Sequence, residues 1–139
     1  LVQGRHSIEE QLKLKGGINL KPESDFHSTA KIPWTEIAAN SSSASGPGVT
    51  EKILSVDTDN PERKTRLIKM DPGFRGKGTL THDFWEEVYV LQGSMIDELN
   101  NIVCQEGFYC CRQPGMPHGP FYSPEGCFAI EFHYIPKEE

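Results

Sequence analysis

The chain has 139 residues, with 14 Lys and Arg against 20 Asp and Glu, for a net charge of −6 at neutral pH. That length predicts one domain around one core, and an acidic balance without a basic run offers nothing to nucleic acid or an anionic membrane surface. No apolar run approaches the ~18 residues of a membrane span, and the opening residues lack the basic-then-apolar pattern of a secretory signal, so a cytoplasmic protein is expected.

In chain order, Ser7-Ile8-Glu9-Glu10 has the form of a capping box. Ile8 and Leu12 follow at helical spacing and Gly16-Gly17 ends the run, which predicts a short helix over residues 8–14. His6 and His27 read as surface or capping groups. Ile32-Pro33-Trp34 is extended, because the residue before proline is pushed out of the helical region, and Trp34 reads as a core or rim anchor. NSSSASGPG, residues 40–48, is a polar loop; its Asn40-Ser41-Ser42 also spells a glycosylation sequon. A strand is expected over 49–56, turn chemistry over 57–63 and a second strand over 65–70, closed by Asp71-Pro72-Gly73. Residues 74–79, with Arg75 and Lys77 between glycines, read as a loop at a rim.

THDFWEEVYVLQG, residues 81–93, carries His82 and Glu86. In a straight strand residues four apart lie about 13 Å from each other, too far to share one ion. Val88-Tyr89-Val90-Leu91 before Gly93 reads as a strand, not a helix. His82 is therefore expected to end one strand, Asp83–Trp85 to turn, and Glu86 to begin the next, with Val88 and Val90 on its face and Glu87 and Tyr89 outward. A strand over 94–99, a turn at Asn100-Asn101, a return over 102–104 and a strand over 107–113 follow. The turn at 114–117 presents His118. In the last strand, 127–135, Phe128, Ile130, Phe132 and Tyr134 share one face, expected to be core. Ala129, Glu131 and His133 share the other, where His133 is either an exposed strand residue or a cavity-lining one. The four cysteines, Cys104, Cys110, Cys111 and Cys127, contain no C-x2-C pair and read as reduced thiols; a redox or metal role for Cys110 or Cys111 is the alternative. Eight or nine short strands imply an all-β closed sheet or sandwich. Two histidines and a carboxylate, His82, Glu86 and His118, are a donor set suited to a divalent first-row metal.

These stretches resemble the two motifs of the cupin superfamily. His82, three residues, Glu86, six residues and Gly93 match the later half of the first motif. Gly107, five residues, Gln113-Pro114-Gly115, two residues and His118 match the second, with Gln113 where proline is usual. EEVYVLQG, MIDE, QPGMPHGPF and SPEGC are similar to the ChrR-like group, which includes zinc-binding sensor domains of anti-sigma factors and small ring- or diketone-cleaving dioxygenases. The resemblance spans residues 32–134. It departs at Leu80, which stands where the first histidine belongs, at Tyr122 in place of the closing asparagine, and at Gly73, one residue too far away.

The resemblance implies a single cupin jelly-roll barrel over residues 32–139, after an N-terminal extension over 1–31 that carries the short helix. It implies a metal held by His82, Glu86 and His118, with Fe(II) or zinc foremost and manganese, nickel or cobalt also suited. The expected activity is dioxygenase or related enolate chemistry on a small carbonyl, diketone or hydroxyaryl ketone. Glu86 or His133 would act as base, and Arg112, Gln113 or Tyr122 would orient the substrate. The alternatives are a small-molecule or zinc-binding sensor, or a metal-free isomerase or cyclase because of Leu80. Pairing through strand edges makes a homodimer the expected assembly.

Overall fold

The computed structural model describes residues 7–8, 21–39, 41 and 43–135. Among these the protein is a nine-stranded, all-antiparallel sheet: β1 Thr35–Glu36, β2 Val49–Val56, β3 Lys64–Met70, β4 Phe74–Arg75, β5 Trp85–Asp97, β6 Ile102–Gln105, β7 Tyr109–Arg112, β8 Phe121–Ser123 and β9 Cys127–Tyr134. The hydrogen-bonded order is β1-β2-β3-β9-β5-β8-β4, with β6 and β7 also paired to β5. The sheet curls into a half-barrel; β1 and β4 remain the two ends of that path.

Of the helix expected over 8–14 only Ile8 is described, the rest lying outside the described residues, so that helix is not borne out. The helical element that is laid out is a single 3-10 turn, Thr29–Lys31, whose first free N–H, on Ala30, donates to the Ser28 hydroxyl. No helix among the described residues is long and apolar enough to cross a membrane.

β5 makes the curl. Its first half pairs with β7 and β9, and its second half with β6 and β8. The sequence predicts a stop at Gly93, yet the strand runs through it. A register shift between Val90 and Gln92 breaks the ladder there, and Gly93 sits at φ +75° with its backbone so close that a Cβ would come 2.1 Å from the Gly126 carbonyl oxygen. The glycine is a corner in one strand, where only a residue without a side chain fits both the φ and the contact. The turn expected at Asn100-Asn101 is present, with Asn101 at φ +55°. Phe74–Arg75, read as loop, is drawn into a two-residue strand against β8.

The concave face holds the core: Val49, Ile68, Met70, Phe74, Val88, Val90, Met95, Phe121, Cys127 and Ala129 are all buried. On β9 the expectation is reversed. Ala129, Glu131 and His133 point inward and are buried, while Phe128, Ile130 and Tyr134 are half-buried on the convex side and Phe132 is 41 % exposed. Polar inward residues outweigh the apolar face because each has a partner inside. Trp34 is likewise on the convex side, edge-on to Phe128, with the Lys52 and Lys69 ammonium groups 4.9 and 4.5 Å from its ring centre.

Candidate metal centre

Two bends bring the site together. Leu80 and His118 form an isolated antiparallel bridge, Leu80 N–H donating to the His118 carbonyl at 2.7 Å and the reverse at 3.0 Å. Gly115 N–H donates to the His82 carbonyl at 2.8 Å, which locks the turn over 114–117 against the loop that carries His82. The chain bends at Asp83-Phe84 and β5 begins at Trp85. Glu86, second in the strand, then projects inward between the two histidines, with Val88 and Val90 below it and Tyr89 exposed, as the alternation requires.

The tautomers follow from the hydrogen bonds. His82 Nδ1 lies 3.0 Å from the Phe84 carbonyl oxygen and His118 Nδ1 lies 3.0 Å from that of Met116. A carbonyl only accepts, so each Nδ1 carries the hydrogen and each Nε2 presents a lone pair. His82 Nε2 is buried without a hydrogen-bond partner among the described residues. Glu86 Oε1 is 3.6 Å from it and 3.9 Å from His118 Nε2, and the three donor atoms lie within 4.8 Å of one another. Ligands bonded at ~2 Å to one ion sit roughly 3 Å apart, so a small inward closure would let them share one. Burial, followed by the charge of Arg112, lowers the pKa of His118 and favours the bare lone pair. A buried, orphaned Nε2 beside a second pre-set Nε2 and a carboxylate fits a divalent metal.

Behind Glu86 lies a second polar group that the strand register places side by side. Glu86 is opposite Arg112 on β7 and His133 on β9, and Arg66 of β3 is opposite Glu131 of β9. Arg112 Nη1 donates to Glu86 Oε1 at 2.7 Å. His133 Nε2 is 3.0 Å from Glu86 Oε2 and 3.1 Å from Glu131 Oε2, so its N–H serves both carboxylates. Arg66, 1 % exposed, donates to Glu131 at 2.7 Å, to Glu51 at 2.5 Å and to the Ser43 hydroxyl at 3.0 Å. Glu86, Glu131 and His133 are also close enough for an ion, but the nitrogen that would ligate is the one already donating to both carboxylates.

Burial alone would raise the Glu86 pKa; the hydrogen bond from His133 and the Arg112 charge prevail and hold it well below the usual carboxylate range. Glu131 is likewise raised by burial but brought below its usual value by Arg66. His133 moves the other way: burial lowers its pKa, and its hydrogen bonds to Glu131 and Glu86 more than offset this and raise it.

His133 thus belongs to the inner cluster and is not an exposed strand residue. Arg112 also points in, but its near N–H group is engaged by Glu86. Gln113 is exposed, and Tyr122 lies under the Arg75 guanidinium, 4.0 Å away, on the outward side of β8; neither is brought to the site. The cysteines are free, and burial pushes the thiols of Cys110 and Cys127 up to about 11, away from the thiolate that a redox or metal role requires. Arg66, Glu131 and Phe84, whose ring stacks on His82 at 4.0 Å and on His133 at 4.4 Å, complete the cluster and were not singled out from the sequence. The one available signal was Arg66 sharing a period-two face with Ile68 and Met70.

The family model of the ChrR cupin-like domain matches residues 22–134. No curated protein matches the sequence. Among solved structures, an RmlC-like cupin from Shewanella frigidimarina is 18% identical, with 84% of this chain and 95% of that one covered at a TM-score of 0.62. An acetylacetone dioxygenase from Acinetobacter johnsonii is 16% identical, with 84% and 79% covered at 0.59. The polyketide cyclase RemF from Streptomyces resistomycificus is 16% identical, with 84% and 83% covered at 0.60. At these identities the likeness shows the fold alone.

Proposed function

The chain belongs to the ChrR cupin-like domain family, and from that fold and its inner cluster we propose that it is a metal-dependent enzyme. Its reaction is of the Fe(II) dioxygenase type, on a small carbonyl or diketone substrate. The observation that carries this reading is the buried, unpartnered His82 Nε2 facing the Glu86 carboxylate. His82, Glu86 and His118 are the ligands: two imidazoles and one carboxylate are the donor set of non-haem iron oxygenases, and zinc, manganese, nickel or cobalt would also fit it. When bound, such an ion supplies Lewis acidity toward a carbonyl oxygen and, if it is iron, one-electron redox chemistry.

The chain's own residues supply the rest. The backbone carbonyls of Phe84 and Met116 hold the two rings by their Nδ1–H groups, so neither ring must change tautomer to bind. Val88, Met95 and Phe121 line the cavity with apolar side chains beside Glu86 and His118. Arg112 keeps Glu86 ionised and adds positive charge on the side where an enolate oxygen would gather electrons. His133, between Glu86 and Glu131, donates its Nε2–H to both carboxylates and so fixes the orientation of Glu86, the carboxylate placed to take a proton from a substrate carbon. The name of the dioxygenase with the same fold supports the diketone class.

A second reading, a metal-free isomerase or cyclase, is favoured by one observation. Arg66 and Arg112 already balance Glu86 and Glu131 inside the sheet, and Leu80 adds no fourth ligand beside His118. Metal analysis after purification without added metal, with oxygen uptake measured against β-diketones, separates the two. The expected result is stoichiometric iron with uptake, and metal affinity in His118→Ala lower by roughly tenfold or more. Metal content unchanged in that variant would sink the assignment of the ligands.

A further inference from the structure

The cavity at the ligands is small, about 20 Å³, which is room for a water molecule and not for a diketone. Immediately outside it is a second chamber of about 360 Å³, within the range of roughly 300–1,000 Å³ that small-molecule sites occupy. Ser43, Ala44, Leu80 and Phe121 line both, so the two spaces adjoin at these four side chains. Leu80, bridged to His118, therefore stands at the junction and gives the outer chamber an apolar floor there.

The chamber is graded in polarity. Its inner wall is Ala44, Leu80 and Phe121; its outer rim carries Arg75 and Lys77, both exposed. In a chain of net charge −6, no Asp or Glu is among the described residues that line it. Its hydroxyls are turned into donors. The Ser43 oxygen already accepts from Arg66 at 3.0 Å and the Ser41 oxygen from the Ser43 N–H at 3.2 Å, which leaves each O–H to donate elsewhere. Arg75 is held in place by Glu98 and by the Tyr122 ring beneath it, with N–H groups beyond the one that Glu98 takes. Cations and donors at one end and an apolar wall at the other suit a ligand with the complementary polarity.

We propose that this chamber is the substrate compartment and that it selects a small carbonyl compound bearing a terminal carboxylate. The carboxylate sits at Arg75 and Lys77, and the carbonyl end faces Leu80 and Phe121 toward Glu86 and His118. The inference rests on the reading of His82, Glu86 and His118 as the reacting centre and adds the substrate class to it.

Calorimetric binding of two probes that differ only at one end tests it: 4,6-dioxoheptanoate and heptane-2,4-dione, the second having a methyl group where the first has the carboxylate. Wild-type protein at low salt is expected to bind the carboxylate on the order of tenfold more tightly, the scale of hydrogen bonds to a charged group. The double variant Arg75→Gln/Lys77→Met, altered only at exposed rim positions, should bind the two probes alike with its affinity for the neutral dione unchanged. Equal affinities in the wild type, a preference kept in the double variant, or no binding of either probe overturns the proposal. Zinc titration of the same wild-type sample keeps the two failures apart. Zinc bound at one per chain without a carboxylate preference removes this inference alone, and neither zinc binding nor preference removes the ligand assignment as well.

Discussion

Glu86 connects the two halves of the inner cluster. Its Oε1 faces His82, His118 and Arg112, and its Oε2 faces His133. A buried carboxylate must have counter-charge, and in the absence of an ion Arg112 provides it. Arg112→Met should therefore destabilise the metal-free protein by about 3 kcal/mol or more, the usual cost of breaking a buried pair by removing one partner. Zinc should recover more stability in that variant than in the wild type, because the ion replaces the missing cation. Denaturant unfolding with and without zinc measures both, and equal zinc-induced gains in the two proteins would mean that Arg112 and the ion do not share the carboxylate. His82, Glu86 and His118 were legible from motif spacing, whereas the engagement of Arg112 with Glu86 was not. The 26-residue separation between those two carries no local pattern; strand register places them opposite each other.

At the scale of elements, β5 and β9 show where local rules stop working. Glycine at the end of an apolar run reads as a terminator, but in β5 it is the corner that lets one strand serve both halves of the sheet. Gly93→Ala should cost on the order of 3 kcal/mol, since it adds left-handed strain to a backbone clash at the Gly126 carbonyl. Urea unfolding measures this, and a loss under about 1 kcal/mol, the level of an ordinary surface change, would show that the corner can relax. In β9 alternation correctly separated the residues into two faces and assigned the wrong one to the core. Hydrophobicity chooses the aromatic face; the register Arg66–Glu131 and Glu86–His133 chooses the other, because ion pairs and hydrogen bonds inside the curl satisfy the polar groups.

For the whole molecule, that inner network links folding to pH. The His133 pKa is raised in the folded state, so its contribution is complete below the ordinary 6.5 and is lost as pH rises through the folded value. The Glu131 pKa is lowered, so its contribution is present above the ordinary 4.5 and is lost as pH falls through the folded value. Both act together between about pH 4.5 and 6.5. In metal-free protein the stability difference between wild type and His133→Gln should be steady over that window and shrink above it. A difference that widens with rising pH would contradict the placement of His133 between two ionised carboxylates.

The amino-acid order determined the all-β class, the strand over Val49–Val56 and the turn at Asn100-Asn101, and its likeness to the cupin motifs pointed to the three side chains that converge. Turn chemistry, alternation and motif spacing act over a few residues and are written locally. Which face of β9 became the inside, which nitrogen of each histidine was left bare and where Arg66 and Arg112 found their partners were decided only by the folded sheet. Arg66 and Glu131 are 65 positions apart, and burial of a charge is favourable only once the opposite charge has arrived from elsewhere in the chain.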